Sequence, residues 1–244
     1  MLGPQGMTTN ASEAAPTGVF ITFEGGEGAG KSTQVLRLAA HLREQTGREV
    51  VTTREPGGTP RAEAIREAVL AGAAKPYGAF AEALMFSAAR IDHLDHLIRP
   101  ALAQGAIVLC DRFSDSTRAY QGAAGGVDGS VLRALERVVV GETRPHLTLI
   151  LDLPPETGLA RARRRAASAA PDGEGEADRF EAEALGFHER LRAAFQGIAE
   201  AEPERCAVID ATAEPDAVEA AIRKAVATRL PTLSKGEKAH ENAA

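Results

Sequence analysis

Val19-Phe-Ile-Thr-Phe-Glu-Gly-Gly-Glu-Gly-Ala-Gly-Lys-Ser-Thr-Gln34 is the stretch whose reading decides the fold. It begins as a β-branched and aromatic run, Val19 to Phe23, and closes on a Gly-x-x-x-x-Gly-Lys-Ser match at Gly25, Gly30, Lys31 and Ser32. Beyond it, Val35, Leu36, Leu38, Ala39 and Leu42 fall at helical spacing. A strand, a glycine loop and a helix in that order form the context in which this pattern makes a phosphate-binding loop. The glycines let the backbone turn tightly and aim its N–H groups inward, an anion nest at a helix N-terminus. Gly25, Gly26, Glu27, Gly28, Ala29, Gly30, Lys31, Ser32 and Thr33 are thus the expected nucleotide-binding residues. Lys31 is expected to reach the β- and γ-phosphates, and the Ser32 hydroxyl to ligate Mg²⁺. The chain is expected to bind a nucleoside triphosphate.

Further along, short apolar runs at Glu49–Thr53, Ile107–Cys110, Leu147–Leu151 and Ala207–Ile209 read as strands. Helical patterns separate them, over Pro60 to about Ala71, about Ala79 to Gln104, Thr117–Gln121, Gly129–Val140, from Pro155, about Arg179–Ala199 and Asp216–Arg229. In the longest of these, Leu84, Met85, Ala88, Ile91, Leu94, Leu97 and Ile98 lie on one side. Strands alternating with helices predict a parallel sheet covered on both faces, a three-layer α/β/α domain over residues 19–230. Residues 1–18 read as a disordered leader, with Met7 a second initiation point, and 231–244 as a flexible tail. The small-residue stretch Ala166–Ala177 reads as a mobile loop within a lid at about 161–180.

Composition narrows the partners. The 244 residues carry a net charge of −6, which argues against a broad nucleic-acid footprint. No apolar run approaches the ~18 residues of a membrane span, and no secretory signal pattern opens the chain. Cys110 and Cys206 sit in apolar runs and are expected to be reduced core residues, so a cytoplasmic location is predicted.

Three constellations bear on what the triphosphate is for. Arg54 and Arg112 follow separate strands and are expected to converge beside the loop, where they could hold a second phosphate. The alternative is structural pairing with neighbours such as Glu55 or Asp111. Arg161, Arg163, Arg164 and Arg165 precede the lid loop and could close on a transferring phosphoryl group; the alternative is a solvated basic face. Phe86 and Arg90, four apart on a helix, could stack on a base and bond its edge; the alternative is core packing beside a surface arginine. Asp152 is expected to be structural, and His93 with His96 lacks the further ligands of a metal site.

Phe23-Glu-Gly-Gly-Glu-Gly-Ala-Gly-Lys-Ser32, Thr53-Arg-Glu-Pro-Gly-Gly-Thr59, Ala83-Leu-Met-Phe-Ser-Ala-Ala-Arg90, Asp111-Arg-Phe113, Ala119-Tyr-Gln-Gly122 and Val208-Ile-Asp-Ala-Thr212 together resemble bacterial thymidylate kinase. The resemblance runs from about Gly18 to about Leu230. It implies a P-loop nucleoside monophosphate kinase fold and transfer of the ATP γ-phosphoryl group to dTMP, giving dTDP and ADP for dTTP synthesis. It places Glu27 on the deoxyribose 3′-hydroxyl, Arg54 and Arg112 on the dTMP phosphate, and Asp111 near Mg²⁺. It also places Phe86 against thymine, Arg90 on the base edge, Ser116 and Thr117 along the base, and Tyr120 where a 2′-hydroxyl would sit. Gly28 stands where another branch of the family has an arginine, so the catalytic arginine is expected from the lid: Arg161, Arg163 or Arg165. Phe113 stands where the family more often has Tyr or His. The long helices are similar to those that form the family's homodimer. The competing readings are another nucleoside monophosphate kinase and a P-loop switch module; the latter calls for an Asn-Lys-x-Asp type element, which the sequence lacks.

Overall fold

The computed structural model describes residues 17–169, 180 and 183–233. β1 (Val19–Glu24) pairs on one side with β3 (Ile107–Asp111) and on the other with β4 (Leu147–Asp152). β2 (Val50–Arg54) and β5 (Cys206–Asp210) complete a parallel sheet of order β2-β3-β1-β4-β5. The helices are α1 (Lys31–Thr46), α2 (Pro60–Leu70), α3 (Gly78–His93), α4 (Arg99–Ala103), α5 (Ser114–Thr117), α6 (Gly129–Val139), α7 (Pro155–Ala169), α8 (Leu185–Ala201) and α9 (Pro215–Arg229). The predicted strands are all present, and the sheet is parallel and covered on both faces as expected.

Alternation along β1 assigns its two faces. Val19, Ile21 and Phe23 pack with Leu38 and Leu42 of α1 and Ile222 of α9. Phe20 points the other way, into a cluster with Leu94, Val108 and Phe113. Thr22 and Glu24 share that second face and are fully buried, so polar groups occupy core positions there. Thr22 and Thr148 hydroxyls lie 2.8 Å apart, and Arg205 bridges Thr148 to Asp115 at 2.6 and 2.7 Å. Every buried polar atom in this patch is thereby paired, as burial requires.

The expected helix from Ala79 to Gln104 is divided. Leu94–Ile98 forms a widened turn in which Arg99 N–H reaches Leu94 O, and α4 follows. Pro100 has no N–H and its ring clashes with the carbonyl four residues back, which accounts for the break. The apolar side chains of that one side divide between two settings: Leu84 and Ile91 are each 45% exposed and Leu94 and Ile98 fully buried, while Glu82, Ser87, Arg90 and His93 are buried as well. The polar stripe turns inward because it finds partners: Arg90 and His93 both meet Glu55, just beyond β2.

Two further boundaries shift. α7 continues through Ala169, into the stretch expected to be loop, and α8 begins at Leu185 rather than near Arg179. Most of the expected leader, lid loop and tail (residues 1–16, 170–179 and 234–244) lies outside the described residues, but Pro231–Leu233, expected as flexible tail, forms a helical turn because Leu233 is buried in the core. Cys110 and Cys206 are free and buried. Asp152 receives Arg192 in a two-pronged ion pair at 2.7 and 2.8 Å, tying β4 to α8. Among the described residues no helix is long and apolar enough to cross a membrane.

The phosphate loop and α7 touch backbone to backbone. A Cβ on Gly158 would lie 2.3 Å from Glu27 O, and one on Gly28 would lie 2.1 Å from Gly158 O. Gly158→Ala is therefore expected to destabilise the protein by about 1–3 kcal/mol through overpacking, despite alanine's better helix propensity. Urea unfolding measures this; an unchanged midpoint would show that the loop yields.

Candidate active site

The loop after β1 delivers a helix terminus that no side chain caps. α1 starts after Gly30, at φ 86°, with no side chain capping its first turn and no acidic residue in it. Its first N–H groups and the positive end of its dipole therefore face outward for an anion. Lys31 folds back over the loop, donating to Gly25 O at 3.1 Å and Gly26 O at 2.9 Å. Burial, and then the charge of Arg112, push its ammonium below its usual value. Ser32 donates to Asp111 at 2.6 Å, so a hydroxyl and a carboxylate from neighbouring strand ends meet beside the loop.

A cleft of about 510 Å³ opens from this terminus across the carboxyl ends of β1, β2 and β3. Glu27, Gly28, Ala29, Gly30, Lys31, Ser32, Thr33, Arg54, Phe86, Arg90, Asp111, Arg112, Ser116, Thr117, Tyr120 and Arg165 all line it, as the sequence reading expected of most of them. Gly25 and Gly26 lie behind it, against β4 and α8. Arg161 and Arg163 do not line it. Arg161 instead donates to Ala211 O at 2.9 Å and Thr212 O at 3.3 Å, joining α7 to the loop after β5.

The two acceptor-side arginines differ in setting. Arg112 is nearly buried; it donates to Glu27 at 2.6 Å and Gly25 O at 3.1 Å, and its guanidinium lies 5.0 Å from the Tyr120 ring centre. Arg54 is exposed and pairs with Glu63 at 3.2 Å. The two residues line one cleft and each is ion-paired, to Glu63 and Glu27 rather than to the expected neighbours Glu55 and Asp111. Arg90 is not a surface arginine. It is buried, donating to Glu55 at 2.7 Å and to Phe113 O and Thr117 at 3.2 Å each. Phe86 is half-buried against the cluster that holds Tyr120, Phe180 and Phe195. Phe113 is fully buried, edge-on to Phe20 at 5.0 Å, so its site calls for no hydroxyl or imidazole.

The sequence reading missed Pro56, Arg66, Leu70, Gln121 and Phe180, all of which line the cleft. Gln121 follows Tyr120 within a quoted motif, a signal that was present. Arg66 and Leu70 are reached only because α2 folds over the cleft, donating Arg66 to Pro56 O at 3.0 Å. His93 is held by Thr53 and Glu55, and His96 pairs with Asp92.

A parallel sheet with a glycine loop, two arginines gathered beside it and an arginine-bearing helix over the cleft defines a P-loop nucleoside monophosphate kinase. The thymidylate kinase family profile matches residues 23–222. Thymidylate kinases of Caulobacter vibrioides and Bradyrhizobium sp. strain BTAi1 are 58% and 57% identical over 213 and 215 residues, covering 87% and 88% of this chain and 98% and 92% of theirs. The crystal structure of thymidylate kinase from Ehrlichia chaffeensis superposes with a TM-score of 0.68 at 34% identity, over 86% of this chain and 99% of that one. The chain belongs to the thymidylate kinase family.

Glu27 is the electrostatic hinge of the cleft. Burial opposes its charge, but Arg112, Lys31 and the Tyr120 hydroxyl at 2.6 Å outweigh burial and lower its pKa from 4.5 to about 2. A depressed folded-state value stabilises the protein above the unfolded value and loses that stabilisation as pH falls from about 4.5 towards 2, about 3 kcal/mol in all. Glu24, raised to about 7, has the opposite sign between 4.5 and 7. Urea unfolding below pH 4.5 is therefore expected to weaken more steeply in the wild type than in Glu27→Gln; equal slopes would remove Glu27 as the source.

Proposed function

We propose that this cleft transfers the γ-phosphoryl group of ATP to dTMP with its residues in the following roles. The donor phosphates lie on the N–H groups of Gly28 to Thr33, with Lys31 neutralising charge on the β- and γ-phosphates. Ser32 and Asp111, whose side-chain oxygens lie 2.6 Å apart, would hold Mg²⁺, which when bound would supply further charge neutralisation on the transferring group. The dTMP phosphate lies between Arg54 and Arg112, whose planar forks suit a phosphate. Its dianion is already a nucleophile near neutral pH, so no general base is needed.

At the other end, Phe86 offers a face for thymine, and Arg90, Ser116, Thr117 and Gln121 line the base edge. Glu27 receives the 3′-hydroxyl, and the Tyr120 ring fills the space a 2′-hydroxyl would need. Among the three lid arginines we assign the catalytic role to Arg165, because it lines the cleft and Arg161 and Arg163 do not. The observation that carries the proposal is the joining, in one cleft, of an uncapped helix terminus with Lys31 to two arginines and an aromatic wall.

The chain acts as a cytoplasmic homodimer supplying dTTP synthesis. Two buried free thiols suit a reducing compartment. Phe80, Leu84 and Ile91 form an exposed apolar stripe on α3, which suits a second copy. Leu84→Glu is expected to shift the protein from dimer to monomer in sedimentation; an unchanged mass would move the interface elsewhere.

ADP release with ATP and Mg²⁺ is expected with dTMP and not with AMP, dCMP or dGMP. Arg165→Ala is expected to lower kcat by about 10³-fold, and Arg161→Ala and Arg163→Ala by less than about tenfold. A large loss at Arg161 or Arg163 with a normal Arg165→Ala enzyme would overturn the assignment.

A further inference from the structure

Arg112 is held in an unfavourable backbone conformation. Its φ of 68° lies in the left-handed region, and no other described residue apart from glycines has a positive φ. Such a conformation persists only where its surroundings over-determine it. Two anchors flank it. On one side Arg112 N–H donates to Phe23 O at 2.9 Å. On the other, the N–H groups of Phe113 and Ser116 both donate to one oxygen of Glu24, at 2.8 and 3.2 Å, and the Ser116 hydroxyl donates to its second oxygen at 2.6 Å.

Glu24 is the last residue of β1 and is fully buried. Lying on the same face as Thr22, it reaches across to the start of α5, where it takes the Phe113 amide and shares the Ser116 amide with Phe113 O, itself 3.2 Å away. Its carboxyl group does not touch the cleft; it touches the segment that aims Arg112 into it. The geometry points to Glu24 as a positioning residue that fixes the acceptor-phosphate arginine, and to its acceptor oxygens rather than its charge as what performs the task. Burial, followed by the nearby Asp115 charge, raises its pKa to about 7, with Arg112 and Ser116 opposing. The group therefore gains and loses its proton near neutral pH without losing an oxygen that can accept from the two amides. This inference rests on the proposal that Arg112 binds the dTMP phosphate.

Steady-state kinetics of four variants test it. Glu24→Gln keeps one acceptor for the two amides and is expected to stay within about threefold of wild type in KM for dTMP. Glu24→Met removes both acceptors and is expected to raise that KM by about tenfold or more, with KM for ATP within about twofold. Glu24→Asp keeps the charge but withdraws the oxygens by one methylene, and is expected to resemble Glu24→Met. Should Glu24→Met fail to fold, Asp against Gln still decides between acceptor position and charge. A Gln variant as poor as Met, a normal Asp variant, or equal rises in both KM values would overturn the inference. Arg112→Ala is the control: an unchanged KM for dTMP there would sink the acceptor-phosphate proposal itself, whereas a raised value beside three normal Glu24 variants would sink only the role of Glu24.

Discussion

The turn from β1 into α1 is the constraint on which the rest of the molecule depends. An anion nest needs backbone amides aimed at one point, and that requires a chain that can pass through positive φ without a side chain in the way. Gly28 meets this condition at φ 68° while its backbone rests against Gly158 of α7. A side chain at either position would separate the loop from the helix. The absence of a lysine or arginine at position 28 is therefore steric as well as chemical: α7 occupies the room that a longer residue would need.

Topology then distributes the remaining work. With β3 and β4 on either side of β1, the segments that follow them emerge on either side of the phosphate loop. The segment after β3 carries Asp111 and Arg112; the segment after β4 becomes α7, with Arg165 over the cleft. β2 lies beyond β3 and brings Arg54 to the far wall. Because all strands run parallel, every one of these groups arrives at the same edge, where ligands bind in open α/β sheets. The order of the strands is what places Arg54, Asp111 and Arg112 on one flank of the loop and α7 on the other.

Much of this was legible in the sequence because it is local. The loop, Arg54 and Asp111-Arg112 each directly follow an apolar strand, so a correct strand implies a correct rim position. What was hidden depends on distant pairing. Arg90 reads as exposed until Glu55, 35 residues away, turns inward to meet it. Glu24 carried no role in the sequence, because its partner Ser116 lies 92 positions on. The same pairing sets the inward face of α3: hydrophobic spacing locates a helix, but a polar stripe with buried partners can claim the inward side. Spacing also could not choose among Arg161, Arg163 and Arg165, since neighbouring arginines on one helix point in different directions.

The ion pairs at the cleft are graded, and the grading has a functional logic. Arg54 and Glu63 meet at 3.2 Å with more than half of the arginine side chain exposed, a pair worth about 0–1 kcal/mol. An incoming phosphate dianion can displace that carboxylate at little cost and gain a charge-assisted contact. Arg112 and Glu27 meet at 2.6 Å, largely buried, and separating them would strand a charge away from water. On the proposed roles, a phosphate would join that pair rather than break it, so Arg54 would be released to the substrate while Arg112 stays fixed as a template. Glu27 is held by Arg112 and is the same carboxylate that the Tyr120 hydroxyl reaches, so the proposed sugar and phosphate pockets would share one charged hinge.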